Sequence, residues 1–128
     1  MIANGLTSVH ELRLKLYVPD VDVRRQFYIR HLHWPIVAEW AGRVGERGVM
    51  FDTGAGILEV LEDLQAAWPV RSCAVSLRVT NVWALWEEWQ AQPNVVFGLR
   101  DNPWGDTSFG IVDPGDFQLT FFTPQRTA

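Results

Sequence analysis

The chain has 128 residues, of which 48% are hydrophobic and 20% are charged. This length fits one compact domain, and the composition excludes a disordered, collagenous or coiled-coil chain. Eleven Lys and Arg residues against fifteen Asp and Glu residues give a net charge of −4, which argues against a nucleic-acid partner. The chain has neither a basic start followed by an apolar stretch nor a long apolar run. We therefore expect a soluble cytoplasmic protein that does not enter a membrane.

A strand followed by a helix is predicted twice. Residues 12–18 and 73–79 alternate between apolar residues and polar or small ones, which is the period-two pattern of a half-buried strand. Each strand leads to a residue that caps helices well, Asp20 in the first case and Asn81 in the second. Apolar residues then recur at helical spacing, which indicates an amphipathic helix after each cap.

Three short strand-like runs, separated by glycine-containing turns, follow each helix. They cover residues 36–41, 48–52 and 56–62 in the first half and residues 95–99, 108–113 and 117–122 in the second. The halves align without a gap at a constant offset of 61 residues, which pairs Leu58 with Leu119. We therefore predict an α+β fold of two tandem βαβββ modules forming a curved mixed sheet with a concave cleft. One domain over residues 1–128 would contain module one at about 11–63 and module two at about 72–123.

Two motifs on this duplicated frame resemble those of one superfamily. The first motif is residues 16–21 (LYVPDV), with Phe27 and Tyr28 in the following helix, and the second is residues 103–105 (PWG) followed by residues 109–116 (FGIVDPGD). Together they resemble the glyoxalase, bleomycin-resistance and extradiol-dioxygenase superfamily, also called vicinal oxygen chelate proteins. The second motif is similar to the Pro-Trp-Gly and Asp-Pro-Asp-Gly-Asn signatures of bleomycin-resistance proteins, but Gly-Asp-Phe replaces the final Asp-Gly-Asn.

Metal-using members of this superfamily take their ligands from the first and last strand of each module. The resemblance places those positions at Arg13, Glu59, Ala74 and Thr120. A divalent transition metal needs several imidazole, carboxylate or thiolate donors, and only Glu59 is one of these. We therefore predict no bound metal and no other cofactor. In place of the metal, we expect Arg13 and Glu59 to pair through two parallel hydrogen bonds.

The remaining nucleophilic and metal-binding residue types indicate no catalytic site. His10 precedes the first strand, and His31 and His33 lie near a helix end, where a surface role suffices. The chain has no nucleophile elbow, phosphate loop or dinucleotide fingerprint. Cys73 is expected to be a core residue, because the alternation puts it on the same side as Val75.

The polar side of the first and last strands is expected to line the cleft. Trp104 stands out, because it lies in a loop of turn residues beside Asp101 and Asp106. That loop would offer an aromatic face and negative charge to a planar cation. The predicted ligand-binding residues are Arg13, Lys15, Tyr17, Phe51, Glu59, Ser76, Arg78, Trp104, Thr120 and Phe122.

The resemblance to bleomycin-resistance proteins implies a metal-free protein that sequesters an aromatic or cationic antibiotic-like compound. It also implies a homodimer in which module one of each chain completes its cleft with module two of the other, by swapped or unswapped modules. Seven tryptophans fit a large apolar interface, although the directions of Trp34, Trp40 and Trp68 stay open. The alternatives are a metal-dependent lyase, isomerase or dioxygenase, and an interaction module without a small ligand.

Overall fold

The computed structural model describes residues 6–66 and 73–125. They belong to two compact units, Met1–Ala67 and Trp68–Ala128. The first unit contains β1 (Arg13–Val18), α1 (Val21–Phe27), β2 (Ile36–Trp40), β3 (Gly48–Asp52) and β4 (Ile57–Glu62). The second contains β5 (Ala74–Arg78), α2 (Val82–Trp89), β6 (Val95–Asp101), β7 (Asp106–Val112) and β8 (Gln118–Pro124). The predicted α+β class and the repeated βαβββ order are confirmed.

Each unit has its own four-stranded mixed sheet with the same topology. The strand order is β1-β4-β3-β2 in the first unit and β5-β8-β7-β6 in the second. The first strand of each unit runs parallel to the last, and the other pairs are antiparallel. Arg13 pairs with Ile57, and Ala74 pairs with Gln118. These parallel pairs therefore keep the predicted 61-residue offset.

The turn between the third and fourth strands is one residue longer in the second unit. Phe51 pairs with Leu58 in the first sheet, and Ile111 pairs with Leu119 in the second. Leu58 and Leu119 are 61 residues apart, whereas Phe51 and Ile111 are 60 apart. The prediction of an ungapped offset is therefore wrong inside the module, since a turn absorbs an extra residue without disturbing the strands it joins.

The first helix continues into a π-helical turn that the second helix lacks. This turn, Tyr28–Leu32, follows α1 directly and ends at His33, whose φ of 56° is left-handed. Ala38 and Phe97 occupy equivalent places in β2 and β6, and they are only 59 residues apart. The first unit thus has two more residues between its first two strands. The wider π-helical turn lies in that stretch, as expected where residues are inserted into a helix.

The core of the first unit lies between α1 and one face of its sheet. Tyr28 is fully buried, and its ring stacks on Trp34 at 5.6 Å and contacts Phe51 at 5.7 Å between ring centroids. Phe51 is also fully buried, opposite Leu58 on the neighbouring strand. The prediction that Phe51 faces a ligand is therefore wrong. The buried apolar residues of this sheet are Leu16, Val18, Val49, Phe51, Leu58 and Val60.

The core of the second unit is built the same way beneath α2. Phe109 lies 5.2 Å from Trp86 and 5.5 Å from Phe121, measured between ring centroids. Trp89 is only 5% exposed, as expected for the apolar side of this helix. The helix begins at Asn81, whose side chain accepts a hydrogen bond from the Ala84 N–H at 3.0 Å. The predicted cap is therefore confirmed.

One other local prediction is confirmed in part and another fails. The helix α1 begins directly after Asp20, as predicted, but the Asp20 side chain forms no capping hydrogen bond and instead lies 3.4 Å from the buried Arg24. Cys73 is exposed rather than buried, because it lies just before β5 begins. The direction of Trp40 is settled by its position over Gly48, whereas Trp68 lies outside the described residues. Within residues 6–66 and 73–125, no helix is long and apolar enough to cross a membrane.

Candidate binding site in the second unit

A cavity of about 310 Å³ lies on the sheet of the second unit. This volume is at the lower end of the range of roughly 300–1,000 Å³ that is typical of small-molecule sites. Aromatic, hydroxyl and charged side chains all contribute to its wall. The lining residues are Ser76, Phe97, Arg100, Trp104, Asp106, Ser108, Gln118, Thr120 and Phe122.

The cavity lies on the face of the sheet opposite α2. Successive side chains of a strand point to opposite faces, and Phe109 of β7 points toward the helix, where it contacts Trp86. Ser108 therefore points the other way, and so does Phe122, which is its partner on β8. Thr120 lies two residues before Phe122 on the same face. The site thus uses the face that the helix leaves open.

A β-bulge in β6 brings Phe97 and Arg100 to this same face. Phe97 pairs with Gly110 and Arg100 pairs with Ser108, so three residues of β6 span two residues of β7. A bulge inserts an extra residue and so reverses the alternation beyond it. The Arg100 guanidinium carbon lies 4.1 Å from the centroid of the Phe97 ring, a cation–π contact.

Gly110 makes room for the Phe97 ring. A β-carbon at this position would overlap the ring, so the aromatic side chain lies directly against the backbone of β7. Trp40 covers Gly48 in the same manner in the first unit. An aromatic ring over a cross-strand glycine shields the backbone that the glycine leaves bare. Phe97 is thereby held as a flat support beneath Arg100.

Trp104 is presented by a tight hairpin turn between β6 and β7. The Gly105 N–H donates to the Asn102 carbonyl at 3.1 Å, and the Asn102 N–H donates to the Asp106 carbonyl at 2.8 Å. Gly105 has a φ of 104°, a left-handed value that glycine adopts without strain. Trp104 is 72% exposed, and its indole N–H donates to Asp106 Oδ2 at 3.1 Å. The edge of the indole is therefore held while its faces stay open.

The carboxylates beside Trp104 are already engaged. Asp106 Oδ1 accepts a hydrogen bond from Asn102 Nδ2 at 2.7 Å, in addition to the indole bond on Oδ2. Asp101 Oδ1 accepts from the Thr107 hydroxyl at 2.6 Å, and Asp101 does not line the cavity. The predicted acidic surface around Trp104 is thus reduced to Asp106, both of whose oxygens have a donor.

The other predicted ligand-binding residues have mixed positions. Ser76, Trp104, Thr120 and Phe122 line the cavity, whereas Arg78 is exposed and does not. Alternation did not predict Arg100, because the bulge that turns it to this face leaves no signal in the sequence. The predicted residues that belong to the first unit, besides the buried Phe51, are Arg13, Lys15, Tyr17 and Glu59.

Arg13 and Glu59 are close together in the first unit. Arg13 Nη1 lies 3.5 Å from Glu59 Oε1, and the Glu59 side chain is 7% exposed. Arg13 Nε instead binds Glu11 Oε2 at 2.8 Å, so the expected pair of parallel hydrogen bonds to Glu59 is not formed. Glu11, and to a smaller extent Glu59, raises the pKa of Arg13. The guanidinium is thus shared between an exposed and a buried carboxylate.

The side chains at the superfamily's ligand positions do not fit a metal ion. Glu59 is already paired with Arg13, and Ala74 has no donor atom. The Thr120 hydroxyl accepts a hydrogen bond from Gln118 at 3.2 Å, and a hydroxyl is a poor ligand for a transition metal. Over residues 6–66 and 73–125, no three His, Cys, Asp or Glu side chains form a group that could hold an ion.

No protein-family model and no curated protein matches this sequence, but solved structures do. A glyoxalase/bleomycin resistance protein/dioxygenase from Nocardioides is 15% identical, covers 97% of this chain and is itself covered to 91%, with a TM-score of 0.71. The bleomycin resistance determinant encoded on transposon Tn5 is 19% identical over 92% of this chain and 100% of its own, with a TM-score of 0.71. The chain has the fold of the glyoxalase/bleomycin resistance/dioxygenase superfamily.

Proteins with this fold include enzymes as well as a resistance determinant. A lactoylglutathione lyase from Agrobacterium tumefaciens is 19% identical, covers 91% of this chain and is covered to 93%, with a TM-score of 0.66. Identities of this size establish the fold and leave the chemistry to the side chains of the site.

The departure from the bleomycin-resistance turn signature is accommodated locally. Asp116 stands at the place of the signature glycine and has a φ of 63°, a left-handed value that Asp tolerates better than most residues. Phe117 replaces the asparagine and is fully buried. The carboxylate of Asp113 accepts hydrogen bonds from the N–H groups of Gly115 and Phe117 at 2.9 and 3.0 Å. Asp113 therefore holds the turn despite the altered sequence.

Proposed function

We propose that this protein binds and sequesters a small aromatic or cationic, antibiotic-like compound without the help of a metal. The observation that carries the proposal is the cavity of the second unit, where Phe97, Trp104 and Phe122 line an open sheet face. Aromatic walls with a few polar groups are typical of small-molecule sites. The ligand positions of metal-using relatives supply no comparable donor set, which favours binding over metal-assisted catalysis.

Trp104 is the proposed stacking residue. Its indole edge is held by Asp106, while 72% of the side chain is accessible. A tethered ring loses little conformational freedom when a flat ligand stacks on it, so more of the contact energy contributes to affinity.

A titration of the purified protein with bleomycin and with planar aromatic compounds, followed by calorimetry, tests the proposal. We expect Trp104→Ala to weaken binding by roughly five- to thirtyfold, equivalent to about 1–2 kcal/mol of aromatic contact. Trp83→Ala is the matched control, because Trp83 is 41% exposed on α2 and does not line the cavity. Equal affinities of the two variants would contradict the proposed site.

The competing proposal, a metal-dependent lyase, isomerase or dioxygenase, predicts a different result. One equivalent of Zn, Fe, Ni or Mn retained after dialysis would favour it. A binding protein of the proposed kind keeps its affinity for the same compounds after treatment with EDTA.

We further propose a cytoplasmic homodimer, in which swapped and unswapped arrangements remain alternatives. In support, β2 and β6 are each one of the two edge strands of their sheet, and they carry Val37 and Val96 with 53% and 49% exposure. Unpaired edges with apolar side chains favour association with another strand. We expect sedimentation to give twice the chain mass of 14.6 kDa at micromolar concentration. A single species at the chain mass would exclude the dimer.

A further inference from the structure

We infer that the cavity of the second unit selects aromatic ligands that carry an acidic group, which Arg100 binds. This inference rests on the proposed function and specifies the charge of its ligand. It narrows the expectation of an aromatic or cationic compound to an aromatic acid.

Arg100 has no carboxylate partner among residues 6–66 and 73–125. In the described part of the chain its guanidinium forms no ion pair and lies over the ring of Phe97. By contrast, Arg25 binds Glu39 at 2.9 Å and Arg47 binds Asp22 at 3.0 Å. The N–H groups of Arg100 are therefore open to a ligand that lies in the cavity.

The carboxylate of Asp106, which lines the same cavity, is already hydrogen-bonded within the protein. Asp106 is the acidic residue of the lining, and each of its carboxylate oxygens accepts a hydrogen bond, one from Asn102 and one from Trp104. Part of its capacity to bind a cation is thereby taken up within the protein. Arg100 is thus the charged group of the lining whose hydrogen-bonding groups are not engaged by the described residues, and it favours an anion.

The position of Arg100 also suits a carboxylate. The guanidinium is supported by the Phe97 ring, which itself lies against Gly110. A supported, planar guanidinium binds the two oxygens of a carboxylate with less loss of side-chain freedom than a flexible cation. Trp104 lines the same cavity, so one ligand would place an aromatic ring on the indole and its acid group at Arg100.

Three probes of one shape and different charge test the inference: 2-naphthoate, 2-naphthamide and 2-naphthylmethylammonium. We measure their affinities by calorimetry at pH 7 and low ionic strength. The wild-type protein is expected to bind naphthoate about five- to tenfold more tightly than the amide, as fits a partly exposed charge-assisted bond. The ammonium compound is expected to bind most weakly.

Two variants assign the preference to one residue. Arg100→Gln is expected to lower the affinity for naphthoate about five- to tenfold and so to remove its preference over naphthamide, whose affinity should fall less because an amide oxygen carries no full charge. Arg78→Gln is the matched control, because Arg78 is an exposed arginine of the same sheet that does not line the cavity. Its preference for naphthoate should equal that of the wild-type protein.

The outcomes separate this inference from the proposed function. Equal affinities for the three probes, tightest binding of the ammonium compound, or a preference that survives in Arg100→Gln would overturn the inference and leave the aromatic site standing. Failure of all three probes and of bleomycin to bind would overturn the proposed function and the inference together.

Discussion

Replacing Asp113 by alanine is expected to lower the free energy of unfolding by about 2–4 kcal/mol, because two buried N–H groups lose their acceptor. Asp113 is 2% exposed, and its carboxylate accepts from Gly115 and Phe117. Phe117 is fully buried at the end of this turn, so water cannot replace the lost acceptor without opening the core. Urea denaturation of the two proteins measures the difference.

The duplicated fold provides the control for this experiment. Asp52 is the last residue of the third strand of its unit, whereas Asp113 follows directly after that strand in the other unit. Asp52 accepts a hydrogen bond from the Gly54 N–H at 2.7 Å. That bond is exposed, so water can replace it, and Asp52→Ala should cost no more than about 1 kcal/mol. Equal losses for Asp52→Ala and Asp113→Ala would show that burial of the turn does not determine the effect.

Glu62→Gln is expected to destabilise the protein at neutral pH and to flatten its stability profile in acid. The Glu62 side chain is 1% exposed and lies against Arg47, whose Nε is 3.1 Å from both carboxylate oxygens. The Gly45 N–H also donates to it. Hydrogen bonding by the Arg47 side chain, helped by the backbone N–H groups of Gly45 and Arg47, lowers the pKa of Glu62 to about 2. Folding therefore favours the ionised carboxylate.

The sign of the pH effect follows from this lowered pKa. The ionised Glu62 stabilises the folded protein above its ordinary pKa of 4.5, and this contribution is lost as the pH falls from 4.5 toward 2. Chemical denaturation between pH 7 and pH 2.5 should therefore show the wild-type protein losing stability more steeply than Glu62→Gln. Parallel profiles for the two proteins would contradict the assignment.

Glu39→Gln is the matched control in the same unit. Arg25 binds both oxygens of Glu39 at 2.9 and 3.2 Å and lowers its pKa. The Glu39 side chain is 45% exposed, so solvent screens this pair more strongly. Glu39→Gln should therefore change the free energy of unfolding at neutral pH, and its dependence on pH in acid, less than Glu62→Gln does.

The sequence predicts the repeated strands because their alternation is a local property. The burial of Leu16 and Val18 beside the exposed Arg13, Lys15 and Tyr17 follows from period two alone. Asn81 is likewise predicted from its own side chain and the residues that follow it. Alternation in β1 does not predict which way Phe51 points. Phe51 lies on β3, and the register of β3 with β4 is set by the turn between them.

The sequence by itself thus determined the two βαβββ modules and part of the lining of the cavity, including Trp104, Thr120 and Phe122. Only the tertiary structure decided which charges are available there. The bulge that turns Arg100 onto the cavity face depends on pairing between β6 and β7, and the engagement of Asp106 depends on a hairpin turn that closes on itself. Alternation is a property of neighbours in the chain, whereas the bulge arises from pairing between two strands and the hydrogen bonds of Asp106 arise from the closed geometry of the turn.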